Sequence, residues 1–170
     1  LFLRIENSTK LTITILDGLS MGGGSELALA CQAILATPAG SMAFPETGIG
    51  IIPGLGGMLR TARIIGPELA KYYVFTGATI SAQDAFELGI VTKLVEPAEL
   101  GSAIKDLCAQ GKPEKYGQRD ISEKFKPYAI ACSQENVGRL LSGKPLEGIA
   151  KDLAARTAKV IGFKAPLALK

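Results

Sequence analysis

The sequence predicts a mixed fold, α/β or α+β, with helix dominating the second half. Three observations carry that expectation. Leu11–Leu16 (LTITIL) alternates apolar with β-branched polar residues, as a half-buried strand does. Glu26–Ala36 (ELALACQAILA) combines strong helix formers with the apolar density of a mostly buried helix. Strand-like and helix-like segments then alternate along the chain as far as Gly111, beyond which helical pieces prevail.

In chain order, LFLRIENS reads as the end of a helix already under way, and LTITIL as the first strand. Asp17-Gly18 ends that strand; the dipeptide is a hairpin signal, but no matching strand follows. The helix over Glu26–Ala36 is stopped by TPAG, and SMAF is a short extended piece. Pro45–Gly57 (PETGIGIIPGLGG) holds five glycines and two prolines, which excludes a regular helix or a central strand. A long apolar glycine-rich loop in a compact domain points to function. Helices are expected over Met58–Ile65 and Pro67–Phe75. Ser81 with Asp84 three residues on predicts a capped short helix stopped by Gly89. IVTKLV (Ile90–Val95) is a second strand, AELGSAIKDLCAQ a further helix, and helical pieces follow near Ile130–Leu141 and Leu146–Ile161. No internal repeat is visible.

Composition narrows the chemistry. At 170 residues and 47% hydrophobic, the chain suffices for one compact domain, and 21% charged residues is too few for disorder. Nineteen basic against 16 acidic residues leave a net charge of only +3. The run from Lys112 to Lys126 mixes signs and reads as a solvated face rather than a nucleic-acid patch. Cys31, Cys108 and Cys132 are widely spaced with no CxxC, which suits reduced core thiols in a cytoplasmic protein. No apolar run approaches the ~18 residues of a membrane span, and no signal peptide is visible. The chain has no histidine. That removes the usual general base, most catalytic triads and the commonest metal ligand, leaving carboxylates for acid–base work near neutral pH.

Two phosphate-loop look-alikes fail on chemistry. Gly138–Pro145 (GRLLSGKP) has Walker A spacing, but Pro145 stands where a Mg²⁺-binding Ser or Thr is required. Gly48–Gly54 (GIGIIPG) has Pro53 at the third glycine position of the dinucleotide pattern. Gly22–Glu26 (GGGSE) survives. It reads as a turn with an acid suited to a helix dipole, or as a backbone whose free N–H groups face a reacting oxygen beside a catalytic acid. Glu46 lies between Phe44-Pro45 and an uncharged loop, where burial would raise a carboxyl pKa. Together, Glu26 and Glu46 form a candidate acid–base pair.

TKLTITILDGLSMGGGSELALAC, FPETGIGIIPGLGGMLR and FTGATISAQDAFELGIVTKLVEP, in this order and spacing, resemble the enoyl-CoA hydratase (crotonase) family over about Leu1–Pro97. The likeness fades from Ala98 and returns weakly in KAPLALK. It implies a ClpP/crotonase-like repeated β-β-α superhelix, here partial, with residues 1–97 as the catalytic part and 98–170 as a truncated helical C-terminal region. Gly23 matches the glycine whose N–H forms half of an oxyanion hole for the thioester carbonyl. Glu26 and Glu46 match two catalytic glutamates, which activate water for attack on C3 and supply a proton to C2. Gly22, Gly23, Pro45 and Gly54 match substrate-binding positions, and Arg60 matches a structural arginine. Isomerases of the family typically lack the acid matching Glu26, so both acids together favour a hydratase of 2-enoyl-CoA thioesters.

The resemblance further implies no metal and no cofactor beyond the coenzyme A of the substrate, and assembly as a trimer or dimer of trimers. Gln32, Thr47-Gly48, Met58 and Leu59 depart from the family pattern and are expected to reshape the acyl pocket. The N-terminal half of the domain, with the other oxyanion N–H, is expected to lie outside this sequence. The parent would then be a longer polypeptide, such as a fusion with a 3-hydroxyacyl-CoA dehydrogenase. The rival reading is an oligomerising acyl-CoA-binding module without catalysis.

Overall fold

Two corners set the course of the chain, each handing a strand of one sheet over to a strand of another. Strand β1 (Ile13–Leu16) turns at Asp17-Gly18 into β2 (Leu19–Met21), and β3 (Ala33–Ala36) turns through residues 37–40 into β4 (Ser41–Ala43). β1 and β3 pair in parallel, Ile13 opposite Ala33 through Leu16 opposite Ala36. β6 (Lys93–Leu94) joins the far side of β3, giving the order β1-β3-β6. β2 and β4 form a second parallel pair, and β5 (Ile80–Ser81) lies antiparallel on β4. The computed structural model that shows this describes residues 1–116, 120–148 and 150–151.

The corners are stitched to one another. The Thr37 N–H donates to the Leu16 carbonyl at 3.0 Å, the Ser41 N–H to Gly18 at 2.9 Å and the Ala82 N–H to Gly40 at 2.9 Å. Gly40 is required by close approach, since a Cβ there would stand 2.4 Å from the Leu16 carbonyl oxygen. Strand, corner, strand and helix thus succeed one another as the β-β-α expectation demands.

Eight α-helices are seen among the described residues: α1 (Phe2–Glu6), α2 (Gly23–Ala30), α3 (Gly57–Ile65), α4 (Pro67–Thr76), α5 (Ala82–Glu87), α6 (Leu100–Gln110), α7 (Lys126–Ala131) and α8 (Gln134–Leu141). The expected helix over Glu26–Ala36 is therefore two elements. α2 stops at Ala30, Cys31 is extended (φ −68°, ψ 153°), and Ala33–Ala36 is the fully buried central strand β3. A strand covered on both faces shows no polar alternation, so its composition mimics that of a buried helix. Its faces are nonetheless distinct. Ile34 and Ala36 enter the main core with Leu29, Phe44, Leu69 and Val74, whereas Ala33 and Leu35 meet Val95, Ala103 and Leu107 under α6.

Other expectations needed smaller adjustments. A strand does follow Asp17-Gly18, but it crosses to the second sheet rather than closing a hairpin. Only Lys93–Leu94 of IVTKLV enters a ladder. The Ser81 Oγ caps α5 by accepting the Asp84 N–H at 3.1 Å, as expected. The helix expected over Ile130–Leu141 breaks at Cys132, where Ser133 starts α8 by accepting the Asn136 N–H. The helix expected over Leu146–Ile161 and the KAPLALK stretch lie, beyond residue 151, outside the described residues.

The Lys112–Lys126 run is not simply a solvated face. The Lys115 Nζ donates to the Leu29 and Cys31 carbonyls at the end of α2, Lys112 donates to Ser8 and the Tyr116 hydroxyl to Glu6. Burial pulls the Lys115 pKa down to about 8, against the opposing pull of Glu6. Residues 112–116 therefore strap α1 to the end of α2. No helix of the described residues is long and apolar enough to cross a membrane.

Candidate active site

The site is built around the turn that leads β2 into α2. Gly22 caps α2 at φ 52° and ψ −119°, backbone that an L side chain rarely adopts, and its N–H donates to the Ala43 carbonyl at 3.0 Å. Ser25 braces the turn from below, its single hydroxyl proton shared between the carbonyls of Ser20 (2.9 Å) and Ala43 (3.1 Å). Gly23 is exposed, and its N–H has no acceptor among the described residues. A helix start with free N–H groups carries partial positive charge and suits an anionic oxygen.

Glu46 reaches this turn from the other side. It lies on a 3₁₀ helix (Pro45–Ile49) that follows β4, with half-buried Pro45 setting the first turn. Its Oε1 stands 2.9 Å from the place a Gly22 Cβ would take, so the acid rests directly against the glycine turn. Its Oε2 is buried and has no hydrogen-bond partner among the described residues. Burial raises the Glu46 pKa above the ordinary carboxyl value. A bond to its own backbone opposes that rise, and the charge of Glu26 adds to it.

Glu26, on the first turn of α2, is 2% exposed. Its Oε1 accepts two backbone N–H groups, from Leu55 and Gly57, each at 2.8 Å. The glycine-rich loop therefore closes over the acid with its main chain. Gly57 must be glycine for this contact, because a Cβ there would meet Glu26 Cγ at 2.6 Å and Phe44 Cε1 at 2.9 Å. Gly54 precedes the clasp and is exposed, and a Cβ there would meet nothing nearer than the Ile52 carbonyl at 4.0 Å. Ile51, Ile52, Leu55 and Leu59 leave their side chains exposed around the loop.

Arg60, 4% exposed, holds the loop from the opposite side. Its Nη1 donates to the Leu55 carbonyl at 2.8 Å, while Nη2 and Nε donate to Glu6 Oε2 at 2.7 and 3.1 Å. Burial alone would raise the Glu6 pKa, but the hydrogen bonds from Arg60 and Tyr116 and the charges of Arg60 and Lys115 outweigh it and lower it. Removing one member of so buried a pair typically costs about 3–5 kcal/mol, because the other charge is left uncompensated.

Of the residues singled out from sequence, Gly22, Gly23, Glu26, Pro45 and Glu46 converge at one turn, and Gly54 leads into the loop that clasps Glu26. Gln32 does not belong to the site. Its Oε1 accepts the Thr12 N–H, and its amide donates to the Glu6 and Ser8 carbonyls, tying α1 to the end of α2. Thr47 anchors the 3₁₀ helix by donating to the Val74 and Phe75 carbonyls. Glu6, the Leu55 and Gly57 N–H groups and the reach of Arg60 were not readable from sequence. The paired glycines at 56 and 57, four and three residues before Arg60, were the one available signal.

Two buried carboxyls flank an open N–H, an arrangement suited to moving protons beside a developing oxyanion. Comparison with known proteins gives the same direction. The profile of the family described as enoyl-CoA hydratase/isomerase matches residues 1–169. A short-chain-enoyl-CoA hydratase of Clostridium acetobutylicum is 38% identical over 107 residues, covering 63% of this chain and 41% of that protein. A glyoxysomal fatty acid beta-oxidation multifunctional protein, MFP-a, of Brassica napus is 30% identical over 155 residues, covering 91% of this chain and 20% of that protein. Among solved structures, an enoyl-CoA hydratase from Bacillus anthracis superposes with a TM-score of 0.60 at 28% identity, covering 98% of this chain and 57% of its own. The chain thus spans less than half the length of the curated relatives it matches.

Proposed function

The chain belongs to the enoyl-CoA hydratase/isomerase family, and from that premise we propose that it carries the acid–base machinery for adding water to 2-enoyl-CoA thioesters in acyl-chain degradation. The observation that carries this reading is the convergence of Glu26 and Glu46 on the glycine turn that starts α2. When water adds, its oxygen bonds to C3 and gives up a proton to a carboxylate. The electron pair of the double bond passes toward the thioester carbonyl, and C2 takes a proton. Negative charge grows on the carbonyl oxygen, which the open Gly23 N–H is placed to receive. Glu46, whose pKa is raised by burial, holds a proton to higher pH than an ordinary carboxyl and suits delivery to C2. Glu26, fixed by two peptide donors, suits orientation of the attacking water. Gly22, Pro45 and Gly54 line the approach.

The match to a multifunctional beta-oxidation protein supports placement of this unit within a longer polypeptide. Assembly of the full-length protein as a trimer or a dimer of trimers belongs to the same reading, and sedimentation tests it. Cys31 and Cys132 are buried free thiols as expected, whereas Cys108 is exposed on α6 rather than in the core; three unpaired thiols suit a reducing compartment such as the cytoplasm. The test of function is hydration of a short-chain 2-enoyl-CoA by the full-length protein and its Glu26→Gln and Glu46→Gln variants. Each substitution should cost at least about 100-fold in kcat, the usual scale for a general acid or base. Undiminished hydration in the double variant overturns the reading. Activity that depends on Glu46 alone and shifts the double bond assigns the isomerase reaction instead.

A further inference from the structure

We propose that Arg60, backed by Glu6 and Tyr116, is a positioning residue that sets the Glu26 carboxylate from behind the glycine loop. The proposal rests on the acid–base role of Glu26 given above. Three successive peptides of the loop carry it. The first donates the Leu55 N–H and the third donates the Gly57 N–H, both to Glu26 Oε1 at 2.8 Å. The middle peptide points its Leu55 carbonyl the other way, onto Arg60 Nη1, also at 2.8 Å. Arg60 thus fixes the one peptide whose neighbours on both sides grip the acid.

The two glycines make this sandwich as thin as a backbone permits. A Cβ on Gly56, which sits at φ 94°, would meet Arg60 Nη1 at 2.5 Å, and one on Gly57 would meet Glu26 Cγ at 2.6 Å. Cation and carboxylate therefore press on opposite faces of a single main-chain layer. The Leu55 carbonyl shares its peptide with the Gly56 N–H, so Arg60 acts on the two donors by fixing the orientation of the peptide between them. A core ion pair built for stability alone would need only Arg60 and Glu6. The guanidinium instead spends two nitrogens on Glu6 and its third on the loop, and Tyr116 fixes the second Glu6 oxygen. Positional tuning follows from a planar fork with five donors in fixed geometry, which a lysine cannot reproduce.

The test is a double-mutant cycle in the full-length protein, with hydration of a short-chain 2-enoyl-CoA and backbone amide exchange as separate readouts. Arg60→Lys should lower kcat between about 10- and 100-fold, with KM little changed, as expected for misplacement of a catalytic group by under about 1 Å. The loss should be non-additive with Glu26→Gln and additive with Glu46→Gln. Exchange at Leu55 and Gly57 should quicken in Arg60→Lys, and less strongly in Tyr116→Phe, which leaves both charges of the Arg60–Glu6 pair in place and keeps the fold if the lysine variant does not. Additive losses with Glu26→Gln, or unchanged exchange at both amides, overturn the proposal. If neither acid matters for hydration, the functional reading fails, and the amide readout still decides whether Arg60 holds the clasp.

Discussion

Adding one methyl group at Gly57 tests the clasp on Glu26 most directly. Gly57 opens α3 with an unexceptional backbone, so alanine there carries no conformational strain, and in a helix alanine is favoured over glycine by up to about 1 kcal/mol. The cost is steric. The new Cβ would lie 2.6 Å from Glu26 Cγ and 2.9 Å from Phe44 Cε1, where ordinary contact begins at 3.4 Å. Phe44 is fully buried and cannot yield, so the loop must lift off both side chains, which carries its N–H donors roughly 0.8 Å from their place on Glu26. Overpacking of this size costs about 1–3 kcal/mol, partly offset by the helix gain. A displacement near 1 Å at a reacting group can cost about 100-fold in rate. Gly57→Ala should therefore remain folded, with its melting midpoint lowered by no more than a few degrees, while kcat for hydration falls roughly 100-fold. Thermal melting and steady-state hydration of the full-length variant measure both. A folded Gly57→Ala protein with wild-type kcat would refute the steric reasoning and the role of Glu26 together.

The other expectations separate stability from catalysis. Because burial raises the Glu46 pKa, ionising it opposes folding: the penalty appears above the ordinary carboxyl value of 4.5, grows as pH rises to the folded pKa and then stays constant. Glu46→Gln should accordingly raise the melting midpoint at pH 7–8 and lose that advantage below about pH 4.5; a gain largest in acid would contradict it. Gly40→Ala drives a Cβ into the Leu16 carbonyl at 2.4 Å and should destabilise by about 1–3 kcal/mol or more in chemical denaturation, with kcat per folded molecule unchanged. Ser25→Ala removes the hydroxyl whose one proton is shared between two carbonyls under the glycine turn, and calorimetry should show a loss of about 1–3 kcal/mol.

The acids and the turn were legible because their surroundings are local. A triple glycine before Glu26 and an acid framed by Phe44-Pro45 and apolar glycine-rich sequence announce themselves within a few residues. The clasp was not, because it is made of peptide N–H groups, which every residue except proline carries and no side chain advertises. Glu6 was hidden for a similar reason. It sits in a five-residue helix and meets Arg60 only through the tertiary fold. β3 is hidden in the sequence because ELALACQAILA is apolar apart from Glu26 and Gln32. The break is marked only by Gln32, whose amide is satisfied by Thr12, Glu6 and Ser8 rather than by solvent. Lys115 was misplaced because a mixed-sign run looks solvated, whereas its ammonium closes the carbonyl end of α2.

The loop over Glu26 grips the acid through main-chain atoms alone, while the side chains of Ile51, Ile52, Leu55 and Leu59 stand 53%, 47%, 53% and 61% exposed. What fixes the acid and what surrounds it are thus encoded by different atoms of the same residues. Drift at these four positions can change the size and greasiness of the neighbourhood and leave both N–H donors in place. The loop is therefore a natural site for diversification, in evolution or in a library that retains Gly56, Gly57 and Arg60.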